Sequence, residues 1–148
     1  SVNTDYAVLS TSIGKIKNCG SAGMPPCSGT NIGAGLDQAI GVLSTSTSVD
    51  LPQAIILVTD GMPNSGIKGY SDADLVNWAG NSADQADALG ISIFTLFYSG
   101  NDGTPGANDF LAGLIRGEGT AHETADPAAI GEKLQEICKS GLKAMLVQ

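Results

Sequence analysis

The chain has 148 residues, 42% of them apolar and 15% charged, with 20 glycines and six prolines; that balance suits one turn-rich globular domain and excludes intrinsic disorder as the main state. Seven basic residues against fifteen acidic ones leave a net charge of -8, which repels phosphate backbones and anionic lipid headgroups, so nucleic acid is a poor partner. No apolar run approaches the ~20 residues needed to span a bilayer, and the polar residues 1–5 lack the basic-then-apolar pattern of a secretory signal.

Asn3, Thr4 and Asp5 can each cap a helix, and Tyr6, Leu9, Ile13 and Ile16 then recur at helical spacing, predicting a first amphipathic helix. Residues 18–28 have no periodicity and carry Gly20, Gly23, Pro25 and Pro26, so they read as a surface loop. Cys19 and Cys27 flank that loop, and a disulfide across it is sterically easy and suits an oxidising compartment. Ile32, Leu36, Ile40 and Leu43, with Ala39 on the same face, predict a second helix fading into the Ser44-Thr45-Ser46-Thr47-Ser48 tract.

Residues 54–58 (Ala-Ile-Ile-Leu-Val) form a short continuous apolar run, entered after Pro52 and ended by Thr59-Asp60-Gly61, which predicts a strand covered on both faces. A third helix is expected over residues 72–89, with Leu75, Ala79, Ala86 and Leu89 on one stripe and Gly90 placed to stop it. Residues 91–98 predict a second buried strand, residues 108–115 a short helix and residues 120–124 a short outer strand. In the last helix Asp126 caps, Pro127 takes the first position, and Ile130, Leu134, Ile137 and Cys138 share a face. Alternation of this kind implies right-handed crossovers and a mainly parallel sheet with helices on both faces, an α/β fold.

In such sheets ligands bind outside the carboxyl ends of the strands, and Asp60 sits at one of those ends. It reads either as a carboxylate at the rim, with Gly61 letting the chain turn away, or as a turn aspartate capping the next element. Ser28-Gly29-Thr30-Asn31 precedes a helix whose N-terminal amides attract anions; taken alone, Thr30 or Asn31 is an ordinary N-cap.

The run Ser28-Gly29-Thr30-Asn31-Ile32-Gly33-Ala34-Gly35-Leu36, followed by Ile55-Ile56-Leu57-Val58-Thr59-Asp60-Gly61, resembles the second half of a von Willebrand factor type A domain. The strand from Gly90 to Phe97, the helix from Phe110 to Ile115 and the ending from Ala125 to Ile137 continue the match, most like bacterial members such as Tad-type pilus-assembly proteins. The resemblance implies a three-layer, Rossmann-like sheet and a metal-ion-dependent adhesion site. There Mg2+ (or Mn2+ or Ca2+) would take an acidic side chain from a partner protein as a further ligand. Thr30 matches the family's threonine ligand and Asp60 its aspartate, and Ser28, Gly29, Asn31 and Gly61 would form the partner-binding rim. Hydroxyl and carboxylate oxygens suit a hard cation.

The family's first strand ends in Asp-x-Ser-x-Ser, and no such sequence occurs in the 148 residues. The chain therefore reads as a single von Willebrand A-like domain over residues 1–148, incomplete at its N-terminal side, with weak metal affinity. Its strand 54–58 would lack its family neighbour, and self-association through that exposed edge is expected. The implied function is adhesion or protein binding in a bacterial envelope or pilus-associated protein, on the extracellular or periplasmic side. The alternative is a metal-independent scaffold or assembly domain of an intracellular complex. Oxidised Cys19 and Cys27 would favour the envelope, and two free thiols the cytoplasm.

Other residues have plainer readings. Cys138 reads as a core residue, His122 as a surface or strand histidine without a metal partner, and Trp78 as packing at the edge of the third helix. Asp72, Asp74, Asp84 and Asp87 read as that helix's first turn and solvated face. Gly33-Ala34-Gly35 lacks the third glycine of a dinucleotide fingerprint, and there is no P-loop or Gly-x-Ser-x-Gly. The expectation is a protein that is not an enzyme, with a hydrolase using Asp60 and His122 as the nearest catalytic rival.

Overall fold

The computed structural model describes residues 30–45, 52–64, 69–100 and 105–145, with side chains of the last helix described up to Lys139. The expected first helix, the Cys19 and Cys27 loop and the 46–48 tract lie outside the described residues. Branched and aromatic residues at 91–97 are all buried and form the central strand, β2 (Ile91–Tyr98). It lies between β1 (Gln53–Thr59) and β3 (Ala121–Thr124) in the order β1-β2-β3, and both pairings are parallel. The register pairs Gln53 with Ile91 through Thr59 with Phe97, and Thr95 with Ala121 through Tyr98 with Thr124. Four α-helices complete the described residues: α1 (Ile32–Ser44), α2 (Asp72–Ala88), α3 (Ala107–Ala112) and α4 (Ile130–Met145). The arrangement is α/β, compatible with a Rossmann-like fold.

Alternation along β2 sends its side chains to two faces. Ile91, Ile93 and Phe97 join Ile55 and the buried stripes of α1, α2 and α3, including Leu36, Ile40, Ala83 and Leu111. Phe94 and Leu96 point the other way and meet Ile137 of α4, with Ile130 and Leu134 half-buried beside them. Each fully buried side chain of this size contributes about 2 kcal/mol by leaving water.

The helix ends follow local chemistry. Asn31 Oδ1 accepts from the Ala34 amide at 3.0 Å and starts α1. Ser71 starts α2 with a reciprocal capping box: its hydroxyl accepts from the Asp74 amide, while Asp74 Oδ2 accepts from the Ser71 amide at 2.8 Å. Those bonds from Ser71 hold the Asp74 carboxyl below its ordinary range. Gly90 ends the helix at φ 71°, a conformation that other residues rarely adopt. Asp126 Oδ1 accepts from the Ala128 amide and opens a 3-10 turn, Pro127–Ala129, ahead of α4.

The short connection into β3 packs tightly on β2. Glu118 donates its amide to the buried Ser92 hydroxyl, and a Cβ added at Gly119 would lie 1.7 Å from the Ile93 carbonyl oxygen. Only a residue without a side chain fits there.

Three expectations need correction, and the first is Leu89, which caps α2 just past its end and is 53% exposed instead of sharing the buried stripe. The 54–58 strand is not covered on both faces by the described residues: Ile55 is buried, but Val58 is 46% exposed. On that face Ala54 and Ile56 are half-buried against the cluster of Phe94, Leu96 and Ile137, and among the described residues β1 lies at the sheet's edge. Cys138 is exposed rather than in the core. It lies one residue past Ile137, about 100° round the helix, and so turns away from the sheet.

Candidate functional site

Parallel strands all deliver their carboxyl ends to one side, and the loop after β1 is anchored there by its own residues. The Thr59 hydroxyl is buried, accepts from the Gly61 amide at 3.3 Å and donates to the Gly61 carbonyl at 3.1 Å, which closes a tight turn around Asp60. Gly61 and Pro63 are buried and Met62 packs against the core. With its neighbours held inward, Asp60 is left exposed at the rim. The carboxylate is presented to solvent by a turn that is itself fixed.

The start of α1 is brought to the same rim. Thr30 donates its amide to Asn64 Oδ1 at 2.7 Å, and the Asn64 amide donates to the Thr30 carbonyl at 2.9 Å. This two-bond bracket joins residues 34 apart in sequence and ties the segment holding Thr30 to the loop holding Asp60. Thr30 and Asn31 are half-buried, and the Asn31 side chain is used in capping α1. Ser28, Gly29, Cys19 and Cys27 lie outside the described residues.

The bracket is the part of the rim that sequence reasoning missed. The legible signal was an Asn after a Pro in a loop, whose side-chain oxygen can accept while its backbone N–H donates; its partner is set by tertiary contact. Asp37 was also missed. It accepts from Trp78 Nε1 at 2.8 Å and from the Ser82 hydroxyl at 2.6 Å, clasping α1 to α2.

His122, by contrast, is in β3, its Nε2 2.8 Å from the Thr120 hydroxyl, and the whole of β2 lies between it and β1. Among the described residues no group of three or more His, Cys, Asp or Glu is placed to hold a metal ion. Thr30 and Asp60 supply one hydroxyl and one carboxylate, too few on their own for a cation that wants about six oxygen ligands in octahedral order. Also among the described residues, no helix is long and apolar enough to cross a membrane.

Comparison with known proteins gives one informative likeness. No family model and no solved structure matches the chain. It is 33% identical over 87 residues to the minor fimbrium subunit Mfa5 of Porphyromonas gingivalis, an alignment that takes in 55% of this chain and 7% of the relative. The chain thus spans a small fraction of the curated relative's length, and the likeness links it to a fimbrial protein of a bacterial surface.

The Asn64 bracket should be measurable. Asn64→Ala removes the acceptor for the Thr30 amide while keeping the reverse bond, so we expect about 1 kcal/mol lower stability in urea unfolding. Hydrogen exchange at the Thr30 amide should accelerate while that of the β2 amides stays slow. An unchanged Thr30 exchange rate would show that the bracket does not hold the rim.

Proposed function

We propose that the chain is a non-catalytic, protein-binding module of a bacterial pilus-associated or envelope surface protein, built on a von Willebrand A-type three-layer sheet. The observation that carries the reading is the Asn64 bracket, which ties the segment holding Thr30 to the loop that follows Asp60. The likeness to a fimbrium subunit supports a surface setting. In this reading Thr30, Asn31, Gly61 and Asp60 form the contact rim, together with Ser28 and Gly29. The partner is a protein presenting an acidic side chain, with Mg2+ between the two in a complete domain.

Photo-crosslinking tests the rim directly. A benzophenone amino acid at Asn31 should give adducts with a fimbrial or envelope protein in the native cell. The same group at Asp87, exposed at the opposite end of α2, should not. Equal labelling from both positions would refute a rim-centred contact.

The chain alone should hold Mg2+ or Mn2+ only weakly, because a cation that dehydrates reluctantly gains little from one hydroxyl and one carboxylate. Titration calorimetry should give no micromolar site; a tight site abolished by Asp60→Ala would mean that the missing ligands come from elsewhere in the chain.

The edge of β1 carries a further expectation. Ala54, Ile56 and the exposed Val58 border a strand flank unpaired among the described residues, and unpaired apolar strands seek partners. Two copies pairing these strands about a twofold axis would build one continuous sheet. Sedimentation velocity should show concentration-dependent association that Val58→Pro reduces. A well-behaved monomer at high concentration would remove the edge from the interaction surfaces.

A further inference from the structure

Aromatic residues make up only 5% of the sequence, yet two of them meet at the surface, and neither belongs to the rim. Tyr70, 54% exposed, lies just before α2, and its ring centroid is 6.0 Å from that of Trp78 at a tilt of 34°. The two rings line a shallow groove together with Asp74, Asn77 and Asn81. Positions 74, 77, 78 and 81 follow the three-and-four spacing of a single helical stripe, so the groove runs along one face of α2. The core-facing stripe of the same helix is a different set, Leu75, Ala79, Ser82, Ala83 and Ala86.

The groove is pre-organised. Trp78 is fixed by its indole bond to Asp37 and by packing over Gly33, where an added Cβ would come within 2.7 Å of Trp78 Cγ. Asp74 is held by Ser71 through the capping box. Asn77 and Asn81 are exposed and their side-chain amides have no hydrogen-bond partner among the described residues, so two carbonyl acceptors and four N–H donors are free for a ligand. A ligand that docks here meets an indole that is already restrained, which lowers the entropy cost of binding.

The chemistry of the lining selects the ligand. Among the described residues no Lys, Arg or His lines the groove, so an anion gains nothing from them. The single carboxylate is already shared with Ser71, which weakens the case for a cation. A proline-rich peptide would offer the amides acceptors but few donors for their carbonyl oxygens and for Asp74. A pyranose ring has an apolar C–H face to lie on the aromatic pair, whose ring faces are electron-rich, and hydroxyls that both donate and accept at its edge. We infer that the groove of Tyr70, Asp74, Asn77, Trp78 and Asn81 is a binding site for a neutral carbohydrate, with the sugar's C–H face on the rings and its hydroxyls on the two amides and the carboxylate. The site shares no residue with the rim and does not depend on a metal, so it stands or falls separately from the proposed function.

Trp78 is the only tryptophan of the chain, so its emission reports on this groove alone. The 148-residue chain is titrated with methyl glycosides of glucose, galactose, mannose, fucose and N-acetylglucosamine, and with cellobiose, lactose and chitobiose. The expected result is a saturable change in emission with at least one of them, insensitive to added salt because the sugars are uncharged. Tyr70→Ala, Asn77→Ala and Asn81→Ala change exposed side chains outside the core, and each should weaken that binding about tenfold with an unchanged circular dichroism spectrum. The side-chain amide NMR signals of Asn77 and Asn81 should shift with the same saturation curve. The inference is overturned if no sugar saturates the signal or if the three variants bind as tightly as the parent. Saturation by tetramethylammonium or a polyproline peptide, with no response to sugars, would overturn it equally.

Discussion

Burial of β2 on both faces and along both edges is the constraint on which the described structure rests. A strand whose first seven residues are out of water must find a partner for every main-chain N–H and C=O, because each one left unpaired costs about 1–3 kcal/mol. β1 meets this need on one side through a seven-residue register. On the other side β3 pairs only with the second half of β2. The remaining partners come from the connection before β3: the Ile93 amide donates to Arg116 O and the Thr95 amide to Thr120 O. The tight path of that connection, with no room for a side chain at Gly119, follows from its duty to serve as a strand's neighbour without being one. Arg116 is pinned in turn by Asp84 of α2, so the same segment is tied to a helix as well as to the sheet.

The rim inherits its order from this scaffold. With β1 fixed against β2, the end of β1 has a defined height, and the buried Thr59 hydroxyl turns the chain immediately beyond it. Burying Gly61 and Pro63 leaves Asp60 outward, and Asn64 then captures the segment leading into α1. An exposed carboxylate on a mobile loop would lose much of any binding energy to ordering. Here the ordering is carried by backbone groups that folding has already placed.

Helix α2 presents two unlike faces for a related reason. Small residues, Ala79, Ala83 and Ala86, are fully buried on its inner side and let it approach the sheet closely. The Asp37 clasp with Trp78 and Ser82 adds a polar fastening to α1 that apolar contact alone would not orient. Trp78 is too large to be wholly enclosed at that junction, and its outer surface joins Tyr70 at the head of a polar stripe. The aromatic surface is thus a by-product of fastening two helices, available for recognition without a separate structural cost.

Much of this architecture was legible in the residues themselves. The order of elements from the second helix onward, the cap at Asp126, a cap at Thr30 or Asn31, the stop at Gly90 and the buried character of residues 91–97 all follow from local chemistry, since caps, periodicity and turn glycines act over a few residues. The place of Asp60 at a strand's end was legible for the same reason. Position across the sheet was not. The apolar run 54–58 reads as a doubly covered strand wherever it lies, and only the packing of neighbours leaves Val58 open at an edge. Cys138 and Ile137 are adjacent in sequence, and which of them faces the sheet depends on how α4 is rotated against Phe94 and Leu96. The Thr30–Asn64 bracket, the Asp37 clasp and the meeting of Tyr70 with Trp78 depend on tertiary placement. The first two join residues more than thirty positions apart, and the third depends on how Trp78 is held over Gly33. Hydrogen bonds and ring contacts act over a few ångströms, and only the folded chain brings these groups within that reach.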